Sequence, residues 1–237
     1  VYQRQRLISA DVTREQWRMA RTCYYGRITE LDTEFGRLME HLETSGELEN
    51  TIVIVSADHG RYVGAHGYDA HNFGAFEEIY RIPLIISGPG VAVGEETSGL
   101  VSLMDFCPTL LEVSGNEPFD VCDSRSFASL LLDPKAVEAE FNTAYGEYHG
   151  TRFNLTQRIF WQGNWKFVFN GFDFDELYDL ANDPHEMKNL VNEPEHAARV
   201  REMMAEVWRV VRETGDRAIG ESHYYSMRIA CVGPNPL

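Results

Sequence analysis

Ser56-Ala57-Asp58-His59-Gly60 places a carboxylate, an imidazole and a glycine side by side, directly after the apolar run Thr51-Ile52-Val53-Ile54-Val55. In open α/β sheets, ligands bind just beyond the carboxyl ends of strands. An Asp oxygen and a His nitrogen turned inward there would share one divalent ion, with Gly60 allowing a sharp backbone bend. The competing reading is an Asp that caps the next turn and a His that simply packs. The following loop, Gly64-Ala65-His66-Gly67-Tyr68-Asp69-Ala70-His71, adds two more histidines. Three imidazoles in one loop at the ligand end of a strand are a site-like concentration. Imidazole binds metals, and it exchanges protons near neutral pH.

The elements that must position these residues are legible from periodicity. Thr13-Arg14-Glu15-Gln16 is a capping-box pattern that opens a helix. Trp17, Ala20, Tyr24, Ile28, Leu31, Phe35, Leu38 and Leu42 then recur in steps of three and four, which predicts an inward-facing apolar stripe to about Ser45, with Gly46 as the stop. The run ending at Ser56 and the run Ile82-Pro83-Leu84-Ile85-Ile86 read as short strands buried on both faces, as in a parallel sheet. Asp105-Phe106-Cys107-Pro108 reads as a capped helix opening. After about residue 140 the pattern changes to short strands at 142–148, 157–162, 165–170 and 176–179, with Gly163-Asn164 as a two-residue hairpin turn. Pro194 opens a helix to about Thr214, with Ala198, Val200 (or Arg201), Met204, Val207, Trp208 and Val211 inward. The last stretch has no clear period and reads as a tail that wraps the body. The reading is therefore α/β, with a sheet sandwiched by helices over 1–140 and a small antiparallel sheet with a closing helix over 141–237.

Composition bounds the function. The 237 residues carry 21 Lys and Arg against 37 Asp and Glu, a formal charge of −16, which argues against a phosphate-backbone grip on nucleic acid and against adhesion to anionic membranes. No apolar run approaches the roughly 18 residues of a membrane helix. Cys23, Cys107, Cys122 and Cys231 are widely spaced, reading as buried or partly buried thiols rather than a zinc site or disulfide framework. They leave the redox compartment open. Val1-Tyr2-Gln3-Arg4-Gln5-Arg6 is polar and basic without the apolar core of a signal peptide, so the natural start is expected upstream.

Taken in order, the motifs resemble the C-terminal half of a sulfatase of the alkaline-phosphatase superfamily. They are Leu31-Asp32 through Gly36-Arg37-Leu38, then Asn50 to Gly60, then Gly64, His66 and Gly67. Glu77-Glu78 with Arg81-Ile82-Pro83-Leu84-Ile85-Ile86 follow, then Val101 to Asp105 with Pro108-Thr109-Leu110-Leu111. Glu176-Leu177-Tyr178-Asp179-Leu180, Asp183-Pro184, Glu186 and Asn189-Leu190 complete the series. Each motif is modest, and their joint order and spacing are specific.

The resemblance implies roles. Asp58 and His59 match a pair that completes a metal site, whose remaining carboxylates belong to the N-terminal half. His71 falls where many sulfatases carry a Lys at the sulfate and the leaving oxygen, so it is the first catalytic and substrate-binding candidate. A shifted alignment would give the catalytic role to His66, which otherwise orders the loop. His149, in Gly146-Glu147-Tyr148-His149-Gly150, either helps choose the substrate or is a surface-loop histidine. The resemblance favours Ca²⁺, whereas an imidazole ligand favours Mn²⁺, Fe²⁺ or Zn²⁺; Ca²⁺ is the first expectation. The formylglycine nucleophile arises from a C/S-x-P-x-R motif. Cys23, Cys107 and Cys122 all lack that context, so it is expected in an N-terminal half of the same protein. The substrate is then a small anionic ester, a sulfated sugar or an aryl or alkyl sulfate. The alternatives are a phosphonate monoester or phosphodiester hydrolase of the same superfamily, or a non-catalytic binding module. Asp179, Asp183 and Asn189 read as turn and cap residues. Phe160, Trp161, Trp165, Phe167 and Phe169 read mainly as core, or alternatively as a sugar-stacking platform.

Overall fold

The structure, a computed structural model, describes residues 6–69, 73–117, 123–150, 156–170 and 174–220. The chain divides into two compact units, 1–95 and 96–237, each taken by itself below.

The first unit opens on α1 (Arg14–Ser45), the long helix expected from the stripe. Both halves of the capping box form: the Gln16 amide donates to Thr13 Oγ1 at 3.2 Å, and the Thr13 amide donates to Gln16 Oε1 at 2.8 Å. Gly46, at φ 78°, closes the helix in the left-handed region that favours glycine. The stripe itself departs from expectation. Trp17, Ala20, Phe35 and Leu42 are half-buried, but Tyr24, Ile28, Leu38 and Leu31 (67% exposed) remain open to solvent. A helix face becomes a core face only where another layer lies on it, and periodicity reports the face, not the layer.

β1 (Val53–Ser56) and β2 (Leu84–Ser87) pair antiparallel, with Ile54 opposite Ile86 and Val55 opposite Ile85. This corrects the parallel reading. The segment between them holds only a short helical turn at Ala65–Gly67 and the four-residue α2 (Glu77–Tyr80). It is not the helical crossover that a parallel pair requires. It also corrects the burial: β1 is half-buried, and Ile85 of β2 is exposed. A two-stranded ribbon has too few neighbours to cover both faces.

In the second unit, α3 (Phe106–Val113) is preceded by a capping box at Ser102. The Asp105 carboxylate is turned back to accept the amides of Ser102 and Arg125 rather than capping α3. Two short helices follow, α4 (Ala128–Leu132) and α5 (Pro134–Val137). The Arg125 guanidinium donates to the carbonyls of Glu140, Leu100 and Thr143 and lies over the Phe141 ring, tying this segment to the sheet that follows.

That sheet is an antiparallel meander of β3 (Thr143–Tyr148), β4 (Gln157–Gln162), β5 (Trp165–Phe169) and β6 (Glu176–Asp179), in chain order. Gly163 and Asn164 make the expected hairpin, with Gln162 opposite Trp165. α6 (Ala197–Glu213) and α7 (Arg217–Gly220) close over it. Phe160, Phe167, Phe169 and Leu177 pack with Val200, Met203, Met204, Val207, Trp208, Val211 and Ile219 in one core. Two inner positions differ from expectation: Ala198 is exposed and Met203 is buried. Truncating Trp208, 1% exposed, would cost about 3–5 kcal/mol. The aromatic core reading holds for Phe160, Phe167 and Phe169, while Trp165 is half-buried against His196. The expected turn residues act as such. Asp179 accepts the amides of Ala181 and Asn182, Asp183 that of Lys188, and Asn189 those of Leu177 and Val191.

Cys23 and Cys107 are exposed free thiols, not buried ones, and Cys122 and Cys231 lie outside the described residues. No helix among the described residues is long and apolar enough to cross a membrane.

Candidate functional site

Asp58 and His59 emerge immediately beyond β1. The Asp58 carboxylate folds back so that Oδ1 accepts the His59 amide at 2.9 Å. Its other oxygen, Oδ2, lies 3.7 Å from His59 Nε2, with the two side chains 86% and 44% exposed. His59 Nδ1 is 2.9 Å from the Gly60 carbonyl. A carbonyl only accepts, so Nδ1 carries a proton. Anchoring one ring nitrogen to a backbone carbonyl fixes the orientation of the imidazole, as it does for metal-binding histidines in general.

Gly60 is required for a reason different from the one expected. Its amide donates to the Ile79 carbonyl at 2.9 Å, and a Cβ on it would sit 1.9 Å from the Glu78 carbonyl oxygen. The constraint is close approach of two backbones, not a left-handed bend. It locks the strand end carrying Asp58 and His59 against α2.

The loop beyond is built around His66. Its ring stacks on Phe76 at 4.0 Å between centroids, with Tyr62 and Tyr68 nearby. Its side chain is 4% exposed, and Nε2 lies 3.3 Å from Glu78 Oε2. The residue occupies φ 53°, and its carbonyl accepts from Arg6. Neighbouring contacts fasten the same turn: Gly64 N to the Tyr68 carbonyl at 2.7 Å, Tyr62 Oη to the Phe73 carbonyl at 2.8 Å, and Arg21 Nε to the Val63 carbonyl at 2.9 Å. His71 lies outside the described residues. Among the described residues, no group of three or more His, Cys, Asp or Glu is arranged to hold a metal. Asp58 and His59 thus offer one hard oxygen and one imidazole, which would fit part of a coordination sphere, and an ion there would need further ligands.

In the second unit, His149 follows β3 with its side chain 55% exposed, and Nε2 lies 2.8 Å from Glu147 Oε2. Glu147 Oε1 also lies 3.6 Å from Nε of the buried Arg158, its partner across the β3–β4 pair.

An Asp–His pair at a strand end, an ordered histidine loop and, in the second unit, a four-stranded sheet with a closing helix define a mixed α/β class. Comparison with known proteins specifies it. The sulfatase family model matches residues 2–116, and the model of the N-sulphoglucosamine sulphohydrolase C-terminal region matches residues 64–213. The chain belongs to the sulfatases of the alkaline-phosphatase superfamily and corresponds to their C-terminal portion. It is 31% identical over 232 residues to the multifunctional alkaline phosphatase superfamily protein PehA of Trinickia caryophylli, covering 88% of this chain and 43% of that protein. It is 33% identical over 192 residues to an N-acetylglucosamine-6-O-sulfatase of Bacteroides thetaiotaomicron, covering 76% of this chain and 34% of that one. Among solved structures, one in complex with its substrate D-glucosamine-2-N,6-O-disulfate is similar with TM-score 0.72 and 29% identity, over 80% of this chain and 40% of that one. The chain therefore spans less than half the length of these relatives.

Proposed function

We propose that these residues serve a metal-dependent sulfuric ester hydrolase, in which they supply part of the metal and substrate site. The observation that carries the reading is the Asp58–His59 pair at the end of β1, with His59 Nδ1 held by the Gly60 carbonyl. Membership of the sulfatase family supports it. The formylglycine nucleophile and the remaining metal carboxylates are assigned to an N-terminal half of the same protein. A divalent cation, Ca²⁺ first and Mn²⁺ or Zn²⁺ second, would draw charge from the ester oxygens and offset the repulsion of a −16 chain for an anion. Asp58 and His59 would hold it, and Gly60 keeps them in place. The catalytic and substrate-binding role, protonation of the departing alcohol, is assigned to His71 on the family resemblance of its position, with His66 as the other imidazole of that loop. A sulfated sugar is the favoured substrate class, since relatives named for one and bound to one share this fold.

The test is turnover of an aryl sulfate and an aryl phosphonate monoester by the full gene product, with metal content measured in parallel. A higher kcat/KM for the sulfate and about one divalent ion per chain support the reading. A preference for the phosphonate transfers the assignment to a phosphonate monoester or phosphodiester hydrolase. A natural product of about the 27.1 kDa of this chain, without turnover, makes it a binding module.

A further inference from the structure

We propose that His66 is a positioning residue: its pair with Glu78 fixes α2, and α2 in turn fixes Gly60 and the orientation of Asp58 and His59 toward a divalent ion. The inference rests on the metal-dependent reading above and names the residue that prepares the metal pair.

His66 is closed off from chemistry of its own. Its side chain is 4% exposed, its ring lies on Phe76 at 4.0 Å, and the Tyr62 and Tyr68 rings each stand 6.3 Å away. A general acid must come within hydrogen-bond reach of the departing oxygen. An imidazole covered by three rings does not offer that access. The loop instead holds His66 in one place. His66 (φ 53°) and Val63 (φ 45°) both occupy the left-handed region, which non-glycine residues, β-branched ones above all, adopt only where the surroundings impose it. Those surroundings are visible. Arg21 Nε donates to the Val63 carbonyl at 2.9 Å, and Arg6 Nε to the His66 carbonyl at 3.4 Å. The Trp17 ring fills the space beside Gly64, where an added Cβ would come within 2.9 Å of it.

The imidazole so fixed meets one residue, Glu78, that also touches the strand end. His66 Nε2 lies 3.3 Å from Glu78 Oε2. The main-chain carbonyl of the same Glu78 is the group on which Gly60 packs, and the next carbonyl, that of Ile79, accepts the Gly60 amide at 2.9 Å. The Gly60 carbonyl in turn faces His59 Nδ1 at 2.9 Å. α2 is a single turn of four residues, and no side chain caps its N-terminus. One helical turn does not hold its own place, so tertiary contacts such as that of Glu78 with His66 set its position. A shift of α2 is then passed through one glycine peptide to the ring of His59.

The test is calorimetric titration of the metal-stripped full gene product with whichever of Ca²⁺ and Mn²⁺ it binds more tightly. Wild type is compared with His66→Asn, Glu78→Gln and the double variant. Asn tolerates the left-handed backbone and is too short to reach Glu78, so His66→Asn removes the contact and keeps the turn. Each single variant should weaken metal binding about tenfold, the low end for groups that orient metal ligands. Because both act through one contact, the double variant should also lose about tenfold, not the roughly hundredfold of independent sites. Phe76→Leu thins the stack and leaves the His66–Glu78 pair. It should lower Tm yet keep affinity within about twofold of wild type, as an uncoupled site does. Unchanged affinity in His66→Asn, multiplied losses in the double variant, or an equal loss in Phe76→Leu overturns this inference alone. A wild-type protein that binds neither ion overturns the metal reading and this inference with it.

Discussion

The Gly60 amide donates to the Ile79 carbonyl at 2.9 Å, so the backbone just past the Asp58–His59 pair runs in contact with α2. A methyl group at Gly60 would overlap the Glu78 carbonyl oxygen, 1.9 Å from the Cβ position. Backbone, unlike the tip of a side chain, cannot step aside cheaply. Gly60→Ala should therefore destabilise the protein by about 2–4 kcal/mol, and it should lower metal occupancy by displacing the pair. Urea denaturation with metal analysis checks this, and an Ala variant of wild-type stability would refute the packing argument.

The proposed metal role of Asp58 and His59 makes a separable prediction. Asp58→Asn keeps size and loses charge, while His59→Ala removes the Nε2 lone pair. Each should reduce bound divalent metal below half of wild type and activity by about a hundredfold or more, since even residues that merely orient metal ligands cost 10–100-fold. Elemental analysis of the purified full protein measures the first and steady-state kinetics the second. Full metal occupancy in Asp58→Asn would remove Asp58 from the coordination sphere.

Lys166 and Glu186 form an ion pair at 2.7 Å with neither side chain exposed, and Lys166 also lies over the Trp161 ring. Glu186 sits at φ 50°, so the pair pins a strained turn onto the sheet. Removing one partner leaves a desolvated charge without its counterion. Lys166→Met should cost about 3–5 kcal/mol, and the Lys166→Met/Glu186→Gln double variant should cost less than the sum of the two singles. Chemical denaturation of all four proteins tests the coupling, and strict additivity would deny it.

Glu138 accepts hydrogen bonds from the Ser98 amide, the Ser98 hydroxyl and the Thr97 hydroxyl, which hold its carboxyl below the usual value. A depressed folded-state value contributes stability that is present above the unfolded value and is lost as pH falls through the folded one. Glu138→Gln should therefore lower Tm at neutral pH. The gap to wild type should narrow as pH drops below the ordinary carboxylate range. Thermal melts from pH 7 to pH 3 check the sign, and a gap that widens on acidification would reverse it.

The amino-acid sequence by itself determined the local elements and the family. The Thr13–Gln16 capping box, the Gly163-Asn164 hairpin and the strands at 157–162 and 176–179 follow from contacts a few residues apart, and such contacts are written in neighbouring letters. The Asp58–His59–Gly60 cluster was legible for the same reason. Three other features were settled only by the tertiary structure. β1 and β2 run antiparallel because the intervening loop folds back around His66, which strand composition does not encode. The middle of the α1 stripe stays exposed because burial belongs to a pair of surfaces and a periodic pattern specifies only one. The contacts of His149 with Glu147, Glu147 with Arg158 and Arg158 with Thr156 exist because strand register, capped by Asp216 from beyond α6, brings distant polar residues onto one face of the sheet.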